Sequence, residues 1–99
     1  MTTAQQDWAE YMERLGRAIH EARARRGASQ EDVAAAIGIS RASLQRLERG
    51  ATSPGVPANP SLNHVMAIAQ ALDVSMDELL PQPWPDFQLD APAPRRRRS

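Results

Sequence analysis

The chain has 99 residues, 41% of them hydrophobic, enough for one small domain with little core to spare. It has no cysteine, so disulfides, thiolate metal sites and cysteine nucleophiles are excluded, and no apolar run approaches the roughly 20 residues that cross a bilayer. The formal charge of zero is unevenly spread: residues 1–13 carry −3, residues 14–49 carry +4, residues 50–94 carry −5, and Arg95–Arg98 return +4.

Five short helices are predicted. The first spans about Ala4–Arg26, because Trp8, Tyr11, Met12, Leu15, Ile19 and Ala22 recur at three- and four-residue steps and Gly27 can end the helix in a left-handed conformation. Its leading residues are unlike a signal peptide. The second helix opens at the Ser29 cap, with Asp32 completing a capping box, buries Val33, Ala36 and Ile37, and stops at Gly38. The third opens at Ser40, with Ile39 and Leu44 as a hydrophobic staple, turns Leu44 and Leu47 inward, and stops at Gly50. Helix, short break and helix form a helix-turn-helix unit, a shape that other helical hairpins share.

Residues 51–60 hold three prolines and a glycine and predict an irregular loop, with no strand pattern long enough for a sheet. Ser61 caps a fourth helix with Leu62, Val65, Met66, Ala69 and Leu72 on one face. Val74, Ser75, Glu78 and Leu79 repeat the staple and box for a short fifth helix, closed by Pro81. Residues 82–99 read as an irregular or disordered tail. The chain thus divides into an N-terminal helical extension (1–14), a helix-turn-helix domain (15–80) and a Pro-rich tail (81–99).

From Leu15 to Leu80 the chain resembles the lambda-repressor/Cro type of helix-turn-helix, the xenobiotic-response-element family of transcriptional regulators. The run SQEDVAAAIGISRASLQRLERG, followed by SLNHVMAIAQALDVSMDELL, carries the resemblance. It implies an all-α, compact five-helix DNA-binding domain with the third helix in the major groove. It further implies base-facing positions at Arg41, Ala42, Ser43 and Arg46, with Gln45 nearby. Backbone phosphates fall to Ser29, Gln30 and Arg49, and Arg23 and Glu48 match an internal ion pair. Ala28 stands where the family has leucine, the 51–60 loop is longer than usual, and both flanks lie outside the family core.

The residue types suit that task. Arginine can grip O6 and N7 of guanine with two hydrogen bonds, Ala42 is small enough to let a helix approach the bases, and its methyl can meet that of thymine. Arg14, Arg17, Arg23, Arg25 and Arg26 on the first helix read either as a solvated face or as added phosphate contacts, the latter at Arg25 or Arg26. Arg95–Arg98 read as a loose electrostatic tail that raises non-specific affinity. His20 and His64 are expected at the surface without a special role. The four aromatics, Trp8, Tyr11, Trp84 and Phe87, all lie in the flanks. They pack on each other within one chain or form a dimer interface.

The expected function is sequence-specific DNA binding by a transcriptional repressor, acting as a homodimer on an inverted repeat of double-stranded DNA. The alternative is an antitoxin-type protein whose flanks neutralise a partner protein while the same domain autoregulates. No nucleophile–base pair, paired carboxylates or phosphate-binding glycine loop suggests an enzyme. No metal, cofactor or membrane is expected, and the location is expected to be cytoplasmic and nucleoid-associated.

Overall fold

The computed structural model of the chain describes residues 4–89. Its elements are α1 (Ala4–Arg26), α2 (Gln30–Ile37), α3 (Arg41–Arg49), the strands β1 (Ala51–Ser53) and β2 (Val56–Pro57), α4 (Leu62–Leu72) and α5 (Met76–Leu79). Each helix after the first starts at a serine in extended conformation, whose hydroxyl oxygen accepts a backbone N–H three residues on. At Ser29 the exchange is reciprocal, since the Asp32 carboxylate accepts the Ser29 N–H. The second expected box does not close that way: the Glu78 carboxylate takes the Ser75 hydroxyl instead.

α1 is the spine. Tyr11, Met12, Leu15, Ile19 and Ala22 line its buried face and meet Val33, Leu44, Val65, Ile68, Leu72 and Leu79 from the other helices. Two helical faces differ from expectation. On α2 the buried pair is Val33 and Ala34, and Ala36 is exposed, because α2 lies between α3 and α4 and turns an arc toward each. On α4 the inward stripe is Val65, Ile68, Ala69 and Leu72, which leaves Leu62 and Met66 outside. The helix holds two apolar rows, and only one can face the core.

Residues 51–57 also correct the sequence reading. They form a small antiparallel hairpin, Ala51 opposite Pro57 and Ser53 opposite Val56, around the turn residues Pro54 and Gly55. Proline presets the turn and glycine accepts its positive φ of 76°. The hairpin is held at its base. The Ala58 N–H donates to the Gly50 carbonyl, and the Trp8 indole N–H donates to the Ala58 carbonyl at 3.2 Å.

Beyond α5 the chain is irregular but packed. Residues 81–89 run back along α1 as a strap. The Arg14 guanidinium donates to the carbonyl oxygens of Gln82 and Pro83, Trp84 lies against Tyr11 with ring centroids 6.5 Å apart, and Phe87 lies against Trp8 at 6.3 Å. Trp8 and Tyr11 stack on each other at 6.1 Å, and the Arg14 guanidinium sits over the Tyr11 ring. Tyr11 is sealed in so fully that its hydroxyl makes no hydrogen bond. Burial pushes its pKa up, against the opposing pull of Arg14.

The contact between α1 and α3 is closest at Gly16. A Cβ there would lie 2.7 Å from the Leu47 carbonyl oxygen and nearer still to that of Glu48. Gly50 combines a positive φ of 81° with a Cβ position 2.8 Å from the Met12 carbonyl oxygen. Gly38 has a positive φ but open space around it. We therefore expect Gly16→Ala to cost roughly 2–3 kcal/mol through overpacking, and Gly38→Ala about 1 kcal/mol from backbone strain alone. Melting curves of the two variants check this, and equal losses would remove the close approach as the cause.

Candidate nucleic-acid interface

The α3 sequence dictates how it presents itself. Successive residues turn by about 100°, so Leu44 and Leu47 fall together and are buried. The opposite arc is centred on Ala42, Gln45 and Arg49, all exposed. Ser43 and Arg46 lie on one flank of this arc, and Arg41 lies on the other. The two arginines expected to read bases are therefore not equivalent.

Arg46 is half-buried and donates to the Ser43 hydroxyl at 3.4 Å. It shares a groove with Thr52 of the hairpin, Asn59 and His64. Arg41 is exposed on the α2 side, 3.8 Å from the Glu31 carboxylate. That separation, with both side chains in water, makes the pair worth little and leaves Arg41 free to exchange partners. Ser43 is held in turn. Its N–H donates to the Ser40 hydroxyl, and its own hydroxyl accepts from Ser40 at 2.9 Å.

The single acid of α3, Glu48, is turned away from the outward arc. Arg23 meets it with two parallel hydrogen bonds, Nε to Oε2 and Nη2 to Oε1, each 2.9 Å. The side chains are only 15% and 5% exposed. The third guanidinium nitrogen donates to the Ala28 carbonyl at 3.0 Å, so one side chain ties α1, the α1–α2 turn and α3 together. The Gln30 side chain also hydrogen-bonds Glu48.

His20 is exposed as expected, 61% of its side chain in solvent, but it is not idle: it belongs to the same cluster. Its Nδ1 lies 3.0 Å from Glu48 Oε1 and 3.1 Å from the Arg23 guanidinium. The available signal was its spacing, one turn of α1 before Arg23. Burial alone would raise the Glu48 pKa. Hydrogen bonds from Arg23, His20 and Gln30, with the charge of Arg23, outweigh it and hold the carboxyl below the ordinary range. Arg23 is raised by its hydrogen bond to Glu48 despite burial.

The other expected site residues divide by task. Ser29 is exposed and caps α2, and Arg14 is committed to the strap. Arg17, Arg25 and Arg26 stay exposed. Trp8, Tyr11, Trp84 and Phe87 come together in one chain, while Trp84 and Phe87 keep 59% and 56% of their surface exposed. Arg95–Arg98 lie outside the described residues. Among the described residues no group of three His, Asp or Glu side chains could hold a metal ion, and no helix is long and apolar enough to cross a membrane.

The family model for helix-turn-helix proteins matches residues 19–79, the span from mid-α1 to the end of α5. The chain belongs to the lambda-repressor/Cro-type helix-turn-helix family of DNA-binding transcriptional regulators. A similar solved structure is the restriction-modification controller protein C.AhdI from Aeromonas hydrophila, with 32% sequence identity and a TM-score of 0.60, covering 69% of this chain and 94% of that one. Among curated proteins, none matches the sequence. In this helix-turn-helix protein the motif itself is α2 and α3, and the Glu48 cluster joins α3 to α1 and to the α1–α2 turn.

The pH dependence follows from the sign of the Glu48 shift. Because its folded pKa is depressed, its contribution is present above the unfolded value and is lost as pH falls through the folded one. Wild-type melting temperature should therefore fall from about pH 5 downward more steeply than that of Glu48→Gln, which should already be less stable at pH 7. Parallel curves would mean that Glu48 contributes nothing through its charge.

Proposed function

We propose that the protein binds operator DNA sequence-specifically and represses transcription by occupying a promoter. The observation that carries this reading is the outward arc of α3. Its side chains are arginine, alanine, serine and glutamine, and the helix's one carboxylate is neutralised against Arg23. An α-helix whose exposed face holds donors and a small methyl, without repelling charge, fits the major groove. Arg41, Ala42, Ser43, Gln45 and Arg46 are assigned to base edges, and Arg49 to the backbone.

Ser29 and Gln30, at the start of α2, are assigned to a backbone phosphate. Arg23 and Glu48 serve structure rather than contact. One nine-residue helix spans one half-site, so two copies would bind an inverted repeat with half-sites about 34 Å apart. The protein would then work on chromosomal DNA in the cytoplasm. Control of restriction–modification genes, the task named for the similar C.AhdI, is one role that fits such a regulator.

Selection of bound duplexes from a random pool tests the reading, and enrichment of a two-fold repeat is the expected result. No enrichment over input would end it. On the selected site Arg46→Ala should lose roughly tenfold or more in affinity while binding to random duplex barely changes. Equal loss on both would make Arg46 a phosphate contact. Deleting residues 95–99 should reduce the slope of log affinity against log salt by up to about 3–4, since four arginines are removed, without changing the preferred site.

A further inference from the structure

Glu31 is a negative charge on a face otherwise suited to an anion. It shares one shallow depression with Ser29 and Gln30, assigned to a phosphate, and with Arg41, assigned to a base edge. An acid in the first turn of α2 suits the helix, but Asp32 already supplies one there, tied to the Ser29 N–H. Glu48 is likewise taken, by Arg23. Glu31 is left with Arg41. Among the described residues it is the one carboxylate within 4.0 Å of that guanidinium, at 3.8 Å, and the side chains are 75% and 62% exposed. Arg46 differs: no carboxylate of the described residues comes within 4.0 Å of it, and its contact is the neutral Ser43 hydroxyl.

We propose that Glu31 is a positioning residue, which biases Arg41 toward base edges and away from phosphate oxygens. The inference rests on the DNA-binding reading above and refines it. A guanidinium carries five N–H donors, so one edge can hold guanine O6 and N7 while another stays turned to the Glu31 carboxylate. A phosphate taken by Arg41 instead brings a second anion up to that carboxylate, and the two repel. The guanine acceptors are neutral and carry no such cost. Glu31 thus weakens binding to any duplex, but most to one that offers Arg41 only phosphate, and the difference between the two is specificity. Because the pair is exposed, the effect is a factor of about three to five, not orders of magnitude.

The test is Glu31→Gln in the full chain, titrated against the duplex that the wild type selects and against a random duplex. The variant should bind the random duplex about three- to fivefold more tightly, with a salt slope steeper by up to about 1, and should gain less on the selected one. Selection with the variant should relax the preference at the base pair where Arg41→Ala loses it, and keep the preference that Arg46→Ala loses. In an Arg41→Ala background, Glu31→Gln should leave the ratio of selected to random affinity unchanged. Equal gains on both duplexes would make Glu31 a plain surface charge and overturn the proposal, as would no gain on either. So would a ratio that falls just as far when Arg41 is absent. Those outcomes leave the regulator reading intact, because the wild type still enriches a sequence. A wild type that enriches none defeats that reading, and the role of Glu31 falls with it.

Discussion

The arrangement of α3 against α1 and the α1–α2 turn depends on one carboxylate whose side chain is 5% exposed. Glu48 lies on a helix otherwise given over to arginine and small polar residues, and it would repel a phosphate backbone if it faced outward. Two hydrogen bonds from Arg23, with Gln30 and His20 beside it, satisfy the carboxylate and fix its direction. Arg23 spends its remaining donor on the Ala28 carbonyl, so the first turn of the motif is held by the same group. Removing one member of such a pair leaves a buried charge unpaired, which costs on the order of 3 kcal/mol or more. That is a large share of the stability of a domain this small.

Much of this was legible in the sequence where the cause was local. Serine caps at Ser29, Ser40, Ser61 and Ser75, and glycine stops at Gly38 and Gly50, marked the helix ends within a residue, because capping chemistry needs only three or four neighbours. The Arg23–Glu48 pair came from family resemblance, since no local rule joins side chains 25 positions apart. His20 was missed for the same reason. Its neighbour Arg23 was in view, but the carboxylate that gives both a purpose is 28 residues away.

Periodicity failed where it offered two answers. α4 carries apolar side chains at positions 62, 65, 66, 68, 69 and 72, more than one face can bury, and only packing against α1 and α2 chooses Ile68 over Leu62 and Met66. The strap was legible in part. Prolines and acids signalled an irregular tail. Large rings confined to the two flanks offered packing within one chain, which Trp84 and Phe87 make against Tyr11 and Trp8. The hairpin was overlooked because its strands are three and two residues long, too short to show alternation.

The bare contact at Gly16 has a mechanical corollary. At Gly16 backbone meets backbone with no side chain between, so at that point α1 and α3 have no soft layer across which to slide or tilt. A close approach of this kind resists rocking of α3 against α1. Under the proposed reading, differences between binding sites would fall to rotamers of Arg41, Gln45 and Arg46, or to the duplex itself, so the bendability of the base pairs would become part of what is recognised.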